Sequence, residues 1–377
     1  MIKITWPRVA AWRIRRHHLD RAVPANNMLA VASRLCGLHA QVMSSAELTL
    51  WARVHGLDRG AVNAALWQDR TLVKTWAARG TLHLIPSADL PMWHAALRTS
   101  RRYRRPAFWQ RTYGITLDEL DRVTEAIGVA LDGRVLTREE LAKEVGRITR
   151  TAAFRTGLAQ GGWGTILKPA AFAGHLCFAP SVGQRVRFTR PGGWLKSQPQ
   201  QLDPKAATAD LTRRFLGAYG PASYEDLRRW WGGGSMATIK QWIAALGEEV
   251  TQVDLAGSPA WILTAHAGEV RETKPEKSVS LLPAFDQYVI GASRHAEHLL
   301  PGAPRSRVYR PQGWVSPVLL VNGMMQGIWR HEIKGNRVEV VIEPFNKMPP
   351  WVRRAAALEA ERLAAFFDCG FDLTWNG

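Results

Sequence analysis

Cysteine is nearly absent from this chain: Cys36, Cys177 and Cys369 are the only three, far apart and in no C-x-x-C spacing. An odd, scattered set excludes a disulfide framework and a zinc finger, and it fits a reducing cytosol. Long apolar runs are missing too. None approaches the ~18 residues of a spanning helix, so no membrane partner is expected. The first residues, Met1-Ile2-Lys3-Ile4-Thr5-Trp6-Pro7, have neither the apolar stretch nor the cleavage pattern of a secretion signal. A cytoplasmic location is expected. Acids are the third shortage: 32 Asp and Glu face 50 Lys and Arg, a formal charge of +18 over 377 residues. A field of that sign does not set a fold, but it favours a polyanionic partner, nucleic acid ahead of an anionic membrane.

What is present is a globular composition, 46% hydrophobic and 22% charged, on a chain too long for one ordinary core. One local pattern recurs three times: a glycine, then a Ser or Thr three residues ahead of an acid, then an amphipathic helix. The copies are Gly37 with Ser44-Ser45-Ala46-Glu47, Gly133 with Thr137-Arg138-Glu139-Glu140, and Gly220 with Ser223-Tyr224-Glu225-Asp226. Around each, the periodicity predicts helix, short strand, helix, helix and hairpin, which is the order of a winged helix. In the first copy a helix over 25–36 stops at Gly37, Ser44 caps the next, Asp58 a third, and strands 72–76 and 81–85 flank a turn. The second copy has its third helix near 163–173 and strands at 175–178 and 185–188. A Pro- and Gly-rich linker, 191–204, leads to a third copy whose hairpin turns at Ala256-Gly257-Ser258-Pro259. From Val279 alternating strands around Asn322-Gly323 and Lys334-Gly335-Asn336 predict an antiparallel meander or small barrel, closed by a helix over 351–367. The expected fold is therefore α+β: winged helices at 1–115, 116–200 and 201–275, then an antiparallel β-domain at 276–377.

A winged helix offers one helix to the major groove and a hairpin to the flanking backbone. Three tandem copies remove the need for a dimer, so a monomer on double-stranded DNA is expected. Candidate DNA contacts are Arg79 at the first wing tip, Arg101, Arg102, Arg104 and Arg105, and Arg185 and Arg187 in the second hairpin. Arg213, Arg214, Arg228 and Arg229 extend the set. For the run at 101–105 a merely solvated face is the competing reading. Most tryptophans are expected in cores. His295, Glu297 and His298 invite a metal reading, but no further ligand stands at suitable spacing. No metal and no cofactor are expected.

The first copy departs from the others. Six residues, Leu38-His39-Ala40-Gln41-Val42-Met43, separate its glycine from the Ser44 position. On extended backbone His39 and Gln41 project to one side. This segment resembles the catalytic region of the AlkZ and YcaQ DNA glycosylases, a family with a polar-apolar-polar signature. The wing Trp76-Ala77-Ala78-Arg79-Gly80-Thr81-Leu82-His83-Leu84 and the run Leu281-Leu282-Pro283-Ala284-Phe285-Asp286-Gln287-Tyr288, with Gly291, are similar to theirs as well. The resemblance spans essentially the whole chain. It implies three winged helices and a β-domain, DNA with alkylated bases as substrate, and hydrolysis of the N-glycosidic bond of N7- or N3-alkylated purines, bulky antibiotic adducts or interstrand crosslinks. By motif position Gln41 matches the second glutamine of the Gln-x-Gln form, and His39 replaces the first.

An N7-alkylated purine already carries positive charge, so it leaves without a proton. What remains is to stabilise an oxocarbenium-like sugar and to place a water on its far face. The Gln41 carbonyl can orient that water, and a neutral His39 can accept its proton. No lysine stands at the pair for a Schiff base. Asp286 is expected as a structural residue ahead of a DNA-proximal one. A winged-helix regulator or damage sensor without catalysis is the alternative, and a nuclease is less favoured because no carboxylate cluster for two metals is present.

Overall fold

The computed structural model describes residues 2–150, 162–195, 202–302 and 304–376. The fold is α+β, and its contacts gather into two units. One comprises Met1–Ala61, Thr212–Trp230 and Ile239–Gly377; the other comprises Val62–Leu211 and Trp231–Thr238. These divisions do not follow the expected bounds at 115 and 275, since the first repeat is cut at residue 61. The bound expected at 200 lies outside the described residues.

In the first unit, strand Ile2–Ile4 lies parallel to Val250–Leu255, which pairs antiparallel with Ser258–Leu263. The hairpin turn is tighter than the four residues expected. Ala256 and Gly257 alone make it, both at positive φ (49° and 88°), and the Asp254 carboxylate accepts from the Gly257 N–H at 2.7 Å. That is the two-residue loop whose twist matches the flanking strands. Ile4, Val9, Trp12, Val253, Leu255, Ile262 and Val270 form the core beneath it. The sequence offered no sign that the N-terminal strand joins the third hairpin.

A five-stranded sheet in the same unit runs in the order Val279–Leu282, Val318–Val321, Met324–Lys334, Arg337–Pro344, Gly370–Trp375. The first four pair antiparallel as expected, but the last is parallel to Arg337–Pro344. The β-domain is thus mixed and open, not a purely antiparallel meander or barrel. A parallel pair needs a crossover, and helix Pro350–Phe367 supplies it with Val352, Ala356, Ala360 and Leu363 buried.

The second unit holds two hairpins. Leu72–Trp76 pairs with Leu82–Pro86, and Arg185–Thr189 lies between Cys177–Val182 and the short strand Leu136–Thr137. Helices Leu117–Ala130 and Arg138–Thr149 each open on a reciprocal capping box, Thr116 with Glu119 and Thr137 with Glu140. The expected third helix is a 3-10 segment, Gly162–Leu167, followed by helix Lys168–Ala173. At the first hairpin turn Gly80 (φ +66°) tolerates no side chain, because a Cβ there would stand 2.6 Å from the Tyr103 hydroxyl. In the third copy helix Pro204–Tyr219 is followed directly by helix Tyr224–Trp231, and only an isolated bridge, Ala222 with Trp261, stands where the short strand was expected.

Candidate active site

Helix Met28–Arg34 ends in two successive left-handed residues, Cys36 at φ +57° and Gly37 at φ +84°. This turn reverses the chain into a two-residue strand, Leu38–His39. The strand is shorter than expected. It stops at His39, and Gln41 follows in a bend before helix Met43–Trp51. Ala40 is fully buried and packs inward as expected. His39 is 7% exposed, whereas Gln41 is exposed, so the pair shares a loop but not a common degree of burial. The expected Ser44 cap is absent: helix Met43–Trp51 is preceded by Val42, and no side chain caps it.

The His39 ring stacks on Phe285 with centroids 4.8 Å apart and planes 20° off parallel. Phe285 meets Trp314 edge-on at 5.0 Å, and Trp314 is 40% exposed. A ladder of three rings thus runs from the buried imidazole to the surface. Phe285 sits at φ +58°, a conformation that costs an L-residue about 1–2 kcal/mol. Its neighbours hold it there. Asp286 is fully buried and accepts two hydrogen bonds from Arg53, also fully buried, at 2.8 and 2.7 Å. Asp286 also accepts from the Tyr288 N–H at 2.8 Å, and Arg53 donates to the Thr49 carbonyl at 2.8 Å. The Gln287 amide donates to the Gly37 carbonyl at 2.6 Å, and the Tyr219 hydroxyl to that of Leu35 at 2.8 Å. Residues 35–53 are therefore pinned by a tyrosine and a loop far along the chain. Arg53, Phe285 and Gln287 were not singled out from sequence. The available signal was one lone cation, Ala52-Arg53-Val54, and one lone acid, Ala284-Phe285-Asp286, in apolar surroundings.

The candidate DNA contacts divide. Arg79 is half-buried in the first hairpin turn at φ +59°, with its backbone 2.5 Å from where a Cβ on Gly232 would lie. Arg102 donates to the Gly232 carbonyl at 2.8 Å, so both serve packing within their own unit. Arg101 is exposed, Arg104 bonds Asp121 at 2.6 Å, and Arg105 is exposed beside the Phe108 ring. This run is a turn between helices, not a helix face. Arg185 is exposed at the second hairpin, while Arg187 donates to the Pro180 carbonyl at 2.6 Å. Arg228 and Arg229 pair with Glu225 and Asp226 one turn back. Trp76 and His83 lie in the second unit; the His83 Nδ1 bonds the carbonyl of Thr81, just before its own strand, at 2.9 Å. His298 stacks on Trp6, Glu297 pairs with Arg305, and His295 is exposed. Among the described residues no three His, Cys, Asp or Glu gather as a metal site, and no helix is long and apolar enough to cross a membrane.

The sequence pattern described as DNA glycosylase AlkZ-like matches residues 32–366. An interstrand DNA cross-link repair glycosylase of Streptomyces sahachiroi is 36% identical over 367 residues, which is 96% of each chain. The solved structure of Streptomyces sahachiroi DNA glycosylase AlkZ superposes with a TM-score of 0.88 at 34% identity, covering 99% of this chain and 100% of that one. A tRNA 5-methylaminomethyl-2-thiouridine biosynthesis bifunctional protein MnmC of Burkholderia pseudomallei is 26% identical over 220 residues. That alignment covers 52% of this chain but only 31% of the relative, too little to bear on activity. Family pattern, full-length relative and superposed structure agree: the chain belongs to the AlkZ-like DNA glycosylases, hydrolases of the N-glycosyl bond.

Proposed function

We propose that this glycosylase excises N7- or N3-alkylated purines, bulky adducts and interstrand crosslinks among them, with His39 and Gln41 as its reacting pair. The observation that carries the reading is the Gly37 turn. It delivers a ring-stacked imidazole and, two residues on, an exposed carboxamide, in a loop gripped by Phe285, Asp286 and Gln287. The relative named for interstrand cross-link repair supports the lesion class.

In this mechanism the cationic base departs with the electrons of the C1′–N bond, leaving an oxocarbenium-like sugar. Gln41 orients a water through its carbonyl and offers a negative dipole to the sugar. His39 takes the proton as that water adds to C1′, an assistance worth about 10²–10⁴-fold in rate. The reading extends to a monomer whose three winged helices grip one duplex. Purified protein is incubated under single-turnover conditions with duplex containing N7-methylguanine, in chelator, and free base and abasic sites are measured. His39→Ala and Gln41→Ala are expected to abolish release while DNA affinity survives. Unchanged excision in both would exclude the assigned roles.

A further inference from the structure

Outside the ring ladder, the first unit contains a cleft of about 350 Å³ lined by Arg16, Arg34, Arg213, Arg214 and His266. Three helices supply the arginines: Trp6–Arg16, Met28–Arg34 and Pro204–Tyr219. Two of the side chains are fixed within the cleft. Arg16 donates to the Gly217 carbonyl at 2.9 Å and lies over the Trp12 ring, and Arg214 donates to the Ser33 hydroxyl at 2.8 Å. Arg213 is held by Glu249 through bonds of 2.6 and 2.9 Å. Among the described residues no ion pair reaches Arg16 or Arg34.

Glu269 stands beside the cleft, 3.3 Å from His266, but it acts on Arg16 less than Arg34 does, so Arg16 and Arg34 repel each other with little compensation. Burial and then the Arg34 charge lower the Arg16 pKa, and burial and then Arg16 lower that of His266. A concave wall of one sign focuses its field on whatever enters, and the planar fork of arginine matches phosphate oxygens. We propose that this cleft is a phosphodiester site, taking a DNA backbone phosphate between Arg16 and Arg34. The position has a use. Arg34 closes the helix that turns through Gly37 into His39, so a phosphate held there ties the DNA backbone to the element bearing the reacting pair. The assignment deepens the function proposed above, because it supplies one grip on the same duplex.

The test is the salt dependence of binding to an undamaged duplex, read by fluorescence anisotropy over a potassium chloride series. Losing one phosphate contact should flatten the log–log slope by about 0.9, so the wild-type advantage grows roughly eightfold for each tenfold dilution of salt. Arg16→Gln and Arg34→Gln are each expected to show this. Arg337→Gln, which removes a distant exposed guanidinium bonded to Asp372, is expected to leave the slope unchanged. If Arg16→Gln fails to fold, exposed Arg34 decides. A second arm adds inorganic phosphate and follows the melting temperature of wild type and Arg34→Gln. Unchanged slopes overturn the proposal, whether or not free phosphate stabilises the wild type. Binding to undamaged DNA does not involve base release, so failure of His39 and Gln41 as reacting groups would leave this readout intact.

Discussion

Residues 37–47 and 133–140 are written in the same terms, yet they fold by different means. In the second copy Thr137 and Glu140 exchange hydrogen bonds of 2.8 and 3.3 Å and cap their own helix. The third copy does likewise: Asp226 accepts from the Ser223 N–H at 2.9 Å and returns a bond to its hydroxyl at 3.1 Å. In the first copy Ser44 caps nothing, and the longer segment is held from outside: Phe285 stacks on His39, Gln287 bonds the Gly37 carbonyl, and Asp286 pairs with Arg53 just past the end of the following helix. The acids record the difference. The backbone hydrogen bond at Thr137, with that of its hydroxyl, holds Glu140 below the ordinary carboxylate range, while burial pushes Glu47 above it against the pull of Arg59. In the first copy, local self-sufficiency gives way to tertiary support.

The largest expected effect tests that support directly. Asp286→Ala leaves the Arg53 guanidinium buried without its partner and should lower the unfolding free energy by about 3–5 kcal/mol in urea. A loss under 1 kcal/mol, on the order of an exposed ion pair, would refute external support. Next comes the ring ladder. Phe285→Ala should slow single-turnover base release by up to about 100-fold through misplacement of His39, with Phe285→Tyr close to wild type and DNA affinity unchanged in both. Excision at the wild-type rate in the alanine variant would reduce the stack to packing. The caps give a smaller contrast. Thr137→Ala should cost about 1 kcal/mol, whereas Ser44→Ala should change stability by no more than about 0.5 kcal/mol. Equal losses would mean that the first copy is capped after all.

The smallest effect is a titration. The folded value of Glu47 lies above its unfolded one, so its favourable contribution is present in acid and fades as pH rises through the raised value. For Glu140 the sign is opposite: its contribution holds at neutral pH and is lost as pH falls through the depressed value. Carbon-detected NMR of the two carboxyls should place them on opposite sides of the ordinary glutamate value, and Glu47→Gln should raise the melting temperature at pH 7. A common value for both would erase the distinction.

Capped helices and hairpins were legible because their signals are local. Glycine stops, capping pairs and alternating hairpin residues act within a few positions, and Thr137, Glu140, Ser223 and Asp226 behave as their spacing says. The Gly37 turn and the family resemblance at His39 and Gln41 were legible for the same reason. Ser44 misled because its spacing to Glu47 satisfies the cap rule while the cap position falls two residues earlier, at Val42. Contacts between Arg53 and Asp286, or Gly37 and Gln287, join residues 233 and 250 positions apart and leave no periodicity behind. The terminal strand did carry a pattern, Phe371-Asp372-Leu373-Thr374-Trp375, but nothing local says that such a strand pairs parallel after a helix.

The ion pair 233 residues long also orders events on the ribosome. At about 5–20 residues per second, Arg53 emerges on the order of ten to fifty seconds before its carboxylate. During that interval the nascent chain carries an unmatched cation in an apolar setting and an ungripped Gly37 turn. The carboxylate that partners Arg53 and the amide that holds the Gly37 carbonyl are thus made together, more than 230 residues after the groups they bind.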